Sequence, residues 1–253
     1  MPTYGFGSGA CWGTPLTDST GAAITNPTPL LLGTLQDVSI DISGDVKELY
    51  GQNQFAEAVA RGKAKITGKA KYGRFNGAAW NSLFFGQTMT SSIVADYYDA
   101  TGAAIPATPY QITPTVPASG TWARDLGVRN STGNPMTRVA SAPATGQYSV
   151  AAGVYTFAAA DTGQTVFISY GYTGTSTVAK TSIVSNIAMG AAPTFRADFM
   201  NGLNGNQLSL SLFSCVATKL SMASKIDDFD IQELDFSAFA NSAGQVIQWG
   251  MSE

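Results

Sequence analysis

The sequence predicts a mainly β fold: a sandwich or barrel with one short flanking α-helix and an inserted β subdomain. Three observations predict it. Period-2 alternation of apolar and polar residues marks one segment after another. The 27 glycines and 11 prolines punctuate these short runs as turn residues do. Only one stretch, from Asn76 to Gly86, carries helical spacing. A length of 253 residues allows one large β domain or two small ones, each with a real core.

In chain order, residues 1–29 are rich in Gly, Thr, Ser and Pro and show no sustained periodicity, which reads as an extended arm or long loop. Val38, Ile40 and Ile42 then alternate with Ser39, Asp41 and Ser43 as a half-buried strand. From Gly44 to Phe55 the alternation stops, leaving a polar loop over 44–57 with two aromatics, Tyr50 and Phe55. A second strand, Ala58 to Tyr72, sets Ala60, Gly62, Ala64, Ile66, Gly68, Ala70 and Tyr72 on one face. Its other face carries Arg61, Lys63, Lys65, Lys69 and Lys71. The small-residue face calls for something bulky over it, and the following helix is the candidate. Asn76 caps that helix, Trp80, Leu83 and Phe84 share its apolar face, and Gly86 ends it.

From about residue 91 to 180 charges thin out and Pro, Gly, Thr and Tyr dominate, as in a separate β subdomain. Strands are predicted at Ile93–Tyr98, Tyr110–Val116, Gln147–Val150, Gly153–Phe157 and Thr165–Tyr172. The peptide Thr-Gly-Ala-Ala-Ile at 20–24 and 101–105 reads as a shared turn preference. The last third returns to the first style, with strands at Phe195–Met200 and Gln207–Leu220. An acidic segment then leads into Leu234, Phe236 and Phe239, and the turn Asn241–Gly244 precedes a closing hairpin strand at Val246–Trp249.

Composition excludes several chemistries. The chain has no His, which removes His-based triads and imidazole metal sites. Cys11 and Cys215 are too few for a disulfide framework or a Cys₄ zinc site, and reduced thiols are expected. The start MPTYGFGSG does not read as a secretory signal. Gly62 to Ala70 has the wrong spacing and lacks the Ser or Thr of a phosphate-binding loop. The acidic cluster Asp227, Asp228, Asp230, Glu233 and Asp235 lacks the Gly and terminal Glu of a calcium loop. Asn130-Ser131-Thr132 matches a glycosylation acceptor by coincidence, and Gly5, Gly7 and Gly9 lie in no strand–helix context. No catalytic residues, metal ligands or cofactor are predicted.

Charge is uneven although the net is −3. Five like charges on one strand face repel one another unless screened or paired. Three readings compete: a solvated face, pairing with the acidic cluster within or between subunits, and contact with nucleic-acid phosphates. The 44–57 loop has two readings, folding back on its own core or docking on another subunit.

The segment SGDVKELYGQNQFAEAVARGKAKITGKAKYGRFNGAAWNSLFFGQ resembles the strand, long loop, strand and helix of bacteriophage tail tube (major tail) proteins. LSLSLFSCVATKLSMASKIDDFDIQELDFSAFANSAGQVIQW is similar to their closing strands, and GQYSVAAGVYTFAAADTGQTVFISYGYT to the inserted β region of longer members. The resemblance covers most of residues 30–253. It implies a tail-tube β sandwich over 30–90 and 181–253, with residues 91–180 decorating the outside. It further implies hexameric rings stacked into a virion tube, assembled in the host cytoplasm and without membrane insertion. The implied partners are the tape-measure protein, the tail terminator and distal tail or baseplate proteins, with phage DNA passing through the lumen unrecognised. The inter-ring role would fall on Lys47, Glu48, Leu49, Tyr50, Gln52 and Phe55. A mainly acidic lumen is usual in the family, and the basic strand departs from it. Partial pairing with the acidic cluster across a subunit contact would leave the lumen mixed in sign. A contractile injection-system tube and a β-sandwich carbohydrate- or surface-binding module are the alternatives. The second rests on the aromatic-rich insert: Tyr97, Tyr98, Tyr110, Trp122, Tyr148, Tyr155, Tyr170 and Tyr172.

Overall fold

The computed structural model describes residues 7–74, 76–203, 206–224 and 226–252. It is mainly β, with several antiparallel sheets and one short helix, as a β sandwich requires. Strands β1 (Ala10–Pro15), β2 (Leu30–Leu31), β3 (Leu35–Tyr50) and β4 (Ala56–Tyr72) precede helix α1 (Gly77–Trp80), which continues as a π-helical turn over Asn81–Phe85. Then come β5 (Thr90–Tyr97), β6 (Ala103–Ala104), β7 (Gln111–Ile112), β8 (Thr121–Asn130), β9 (Thr137–Arg138), β10 (Gln147–Ala151), β11 (Val154–Phe157) and β12 (Thr165–Thr181). Strands β13 (Thr194–Leu203), β14 (Asn206–Ser221), β15 (Gln232–Ala238) and β16 (Ile247–Met251) complete the chain. The chain forms two compact units, Met1–Thr88 with Ser182–Glu253, and Met89–Thr181.

The first unit holds an eight-stranded sheet in the order β2-β1-β13-β14-β15-β4-β3, with β16 also on β14. Its core gathers Cys11, Leu35, Ile66, Tyr72, Leu83, Phe195, Leu212 and Phe236. Residues 10–15 correct the expectation of an arm, since β1 pairs with β13 from Ala10↔Met200 to Pro15↔Phe195. Its inward positions are Cys11, Gly13 and Pro15, so the burial period is present without the apolar side chains that reveal it. Gly13 is needed there, because a Cβ would lie 2.5 Å from Leu83 Cδ1 of the helical segment.

The predicted helix is present but tighter at its start than at its end. Asn76 Oδ1 accepts from the Ala78 and Ala79 N–H groups at 3.1 and 3.2 Å, and Gly86 closes the segment at φ 62°. Trp80 Nε1 donates to Tyr72 Oη at 3.0 Å and to Gln232 Oε1 at 2.9 Å. Leu83 is buried, whereas Trp80 and Phe84 are half-buried against the core. The small-residue face of β4 is filled differently than expected: Phe236, from the neighbouring strand, occupies the space over Gly68, and Ala60, Gly62 and Ala64 are exposed. The expected closing hairpin is corrected too. β15 and β16 do not pair with each other but follow one another along the same strand, at Cys215–Ser221 and Leu208–Leu212 of β14.

Three turns share one construction dictated by sequence. Asp18, Asn130 and Asn241 each accept, through Oδ1, the N–H groups two and four residues on. Gly21, Gly133 and Gly244 supply the positive φ that follows. The Asn130 side chain is thus occupied by its own turn. Asp99 likewise takes the Thr101 and Gly102 N–H groups, so both Thr-Gly-Ala-Ala-Ile copies sit behind an aspartate-led turn.

The second unit has two four-stranded sheets, β7-β11-β10-β9 and β5-β12-β6 with β8 also on β12. Its core contains Ile105, Val128, Tyr148, Tyr155, Phe157, Val166, Ile168 and Tyr170. Strand β8 was not among those predicted. Within this core Asp125 accepts from the Tyr148 and Tyr155 hydroxyls at 2.7 and 3.1 Å, and burial pushes both phenols up.

Candidate functional site

The loop expected over 44–57 is a β-ribbon. β3 and β4 stay paired out to Tyr50↔Ala56, and only Gly51–Phe55 turn. Beyond Ile66 of β4 the ribbon outruns its neighbour, because β15 pairs with β4 only over Ile66–Tyr72. Both faces of the ribbon then meet solvent, which is why the sequence alternation fades. A register shift between Gly44 and Val46 sets Gly62 and Lys63 of β4 together opposite Asp45, so the extra residue lies on β4, and such a bulge increases twist and swaps the faces that follow. Val46 comes to share a face with Arg61 and Val59, while Leu49 shares the opposite face with Ala58.

Lys47, Glu48, Leu49 and Tyr50 are therefore strand residues, and Gln52 and Phe55 lie in the turn. All six are exposed. Phe55 is 82% exposed, Val59 65% and Leu49 64%. The Tyr50 hydroxyl donates to the Glu48 carboxylate, which pushes the phenol up. A two-stranded hairpin is marginal in water on its own, and fully burying one such side chain is worth about 1.5–3 kcal/mol. The ribbon thus offers several kcal/mol to a surface that covers it.

The basic strand divides in two at Ile66. Lys69 and Lys71 lie on the outward face between two acid-bearing strands. Lys69 pairs in register with Asp235 and Lys71 with Glu233 on one side, and Lys71 with Asp37 on the other. Lys219 of β14 stands opposite Asp235. Charge sign therefore alternates across β14, β15, β4 and β3, which removes the like-charge cost of the strand read alone. Glu233 bridges Lys219 at 2.7 Å and Lys69 at 3.0 Å, and Lys71 Nζ lies 3.9 Å from Asp37. Hydrogen bonds from Lys219 and Lys69 hold the Glu233 carboxyl below its ordinary range. The expected pairing across a subunit contact is corrected for Lys69, whose partner lies in the same chain.

Arg61, Lys63 and Lys65 lie on the exposed extension, and among the described residues none forms an ion pair with a carboxylate. Asp227, Asp228 and Asp230 do not join Glu233 and Asp235 on the sheet; they lie in the exposed segment before β15. Sequence reasoning missed Asp37 and Lys219. Asp37 was legible as the next polar position of the Ser39–Asp41 face, whereas Lys219 depended on a register shift between Ala217 and Lys219. The rest of that face continues polar, with Arg196 Nε donating to Asp198 at 2.9 Å and Ser211 Oγ to Asp198 at 2.6 Å.

No group of three or more Cys, Asp or Glu among the described residues is arranged to hold a metal ion. No helix among them is long and apolar enough to cross a membrane. Compared with known proteins, the chain matches no family model and no curated protein.

Proposed function

We propose that this chain is a structural, non-catalytic subunit of a phage tail tube, self-assembling into stacked hexameric rings that form the conduit for DNA delivery. The observation that carries the reading is the β3–β4 ribbon, which leaves its own core and presents Val46, Leu49, Tyr50, Phe55 and Val59 to solvent. Exposed apolar area of this kind on a projecting element marks a protein–protein contact, and stacked rings of identical subunits supply one. The sheet adds two open ends, β2 and β3, where backbone N–H and C=O groups await another strand. The outward face of the sheet suits a lumen: Lys69, Lys71 and Lys219 lie beside acids of the same chain, so DNA meets a wet surface of mixed sign there. The tape-measure, terminator and distal tail proteins would meet the same ring surfaces, and the location would be the virion.

Negative-stain electron microscopy over a concentration series, with mass by light scattering, tests the reading. Rings or hollow tubes are expected for the native chain. Leu49→Asp combined with Phe55→Asp should leave monomers with an unchanged unfolding midpoint, because both side chains are exposed in the single chain. A native chain that stays monomeric at every concentration, with and without a tail-tip initiator complex, refutes it.

A further inference from the structure

In the unit Met89–Thr181, β8 carries one residue more than β12 opposite it. Val128 pairs with Ile168 and Asp125 with Tyr170, so Leu126 and Gly127 together face Ser169. Gly127 takes a φ of +102°, which residues with a Cβ disfavour, and its N–H donates to Asp125 Oδ1 at 3.0 Å. Bulges re-aim the side chains around them. Here a cleft of about 400 Å³ opens at the bulge, lined by Asp96, Tyr97, Tyr98, Leu126, Pro135 and Ser169, a volume within the roughly 300–1,000 Å³ of small-molecule sites.

Most of the insert's aromatics serve its core: Tyr148, Tyr155 and Tyr170 are buried. Tyr97 and Tyr98 are the two that reach the cleft, and both are held. Tyr97 stacks on Tyr170 with centroids 5.1 Å apart. The Arg129 guanidinium lies 4.6 Å from the Tyr98 centroid and 5.4 Å from that of Phe167, and donates to the Asp99 carbonyl at 2.8 Å. Tyr98 nevertheless remains 67% exposed, so a fixed aromatic ring faces solvent at a lined concavity.

Charge in the cleft is compensated. Asp96 is bonded to Arg124 at 2.7 Å, and Arg129 is balanced by the nearby Asp99 carboxylate. An ionic ligand would find no net charge to oppose. A purely apolar one would cover the second Asp96 oxygen and the Ser169 O–H proton, which the Arg124 and Asp99 N–H bonds leave over, and that is costly. A neutral ligand with one C–H face and a rim of hydroxyls matches both parts of the surface. The geometry points to a carbohydrate-binding site, in which a neutral pyranose lays its C–H face on Tyr98 and bonds its hydroxyls to Asp96 and Ser169. This site does not depend on the tube reading.

Saturation-transfer NMR on the full chain tests the proposal, since that readout tolerates large assemblies. The probes are the methyl glycosides of glucose, galactose, mannose and N-acetylglucosamine. Saturation of the ring protons of at least one glycoside is expected. Tyr98→Ala should weaken it about tenfold or more, about 1.4 kcal/mol. Leu126→Trp, made at a position 46% exposed so that the new ring fills the cleft without disturbing the core, should do the same. Trp249→Ala, at an exposed aromatic of the other unit, should leave binding unchanged. The proposal is overturned by no saturation of any of the four, by binding that either cleft variant retains, or by loss in Trp249→Ala.

Discussion

Gly68 and Phe236 stand opposite one another in β4 and β15, and the sheet has room there for one side chain. A Cβ added at Gly68 would lie 2.2 Å from Phe236 Cζ and 2.3 Å from Cε2. The ring has little freedom to yield, being 3% exposed and packed edge-on against Phe195 with centroids 5.7 Å apart. Gly68 does not have a positive φ, so the cost of Gly68→Ala is steric, about 1–3 kcal/mol for overpacking. Phe236→Ala empties the same space and costs about 3–5 kcal/mol. In the double variant the new methyl enters that vacancy, so its own penalty falls to near zero. The two sites should therefore couple by about 1–3 kcal/mol. In a chain of this size each kcal/mol moves the melting midpoint about 2–4 °C, so Gly68→Ala alone should lower it by about 2–12 °C. Calorimetry gives the midpoint, and hydrogen exchange of β4 and β15 amides assigns the change to the first unit. If Gly68→Ala costs the same with and without the Phe236 ring, the packing argument is wrong.

Asp125→Ala should destabilise the second unit by about 1–3 kcal/mol for each tyrosine hydroxyl it orphans, read as early exchange of β10 and β11 amides; unchanged protection would show that the Asp125 bonds carry little. Burial pushes the Cys11 and Cys215 thiols up to about 12, so neither should react with an aromatic disulfide reagent at pH 8 until urea unfolds the chain. Rapid modification of the native protein would contradict that. Glu233 has a folded pKa below its ordinary 4.5. Such a group contributes stability above the unfolded value and loses it as pH falls through the folded one. The native chain should therefore lose more stability than Glu233→Gln on acidification below about pH 4.5, whereas identical acid limbs in urea titrations would show the two lysine contacts to be energetically silent.

Much of the architecture was legible in the sequence because it rests on near neighbours. The aspartate- and asparagine-led turns need only a side-chain oxygen and a glycine within four residues. The segment from Asn76 to Gly86 carries its own cap, apolar face and stop. The outward face of β4 and its acidic partner on β15 were visible as charge patterns, although only Glu233 and Asp235 of the five acids join the sheet. Local signals failed where burial does not follow composition. β1 hides its period behind Gly13 and Pro15, and the ribbon lost its alternation because solvent lies on both sides.

By itself the sequence determined the mainly β class, the helix and its ends, the turns and the sign of charge on each strand face, since each follows from backbone preference and residues a few positions apart. Tertiary structure alone decided which strands are neighbours. That choice placed Phe236 over Gly68, ran β15 and β16 end to end along β14, and set Lys219 and Asp37 to either side of the charged ladder. It also carried β3 and β4 past the end of β15, so that Leu49 and Phe55 became surface. Pairing between distant segments depends on how whole faces pack and how registers shift at bulges, and no short window of sequence contains that energy.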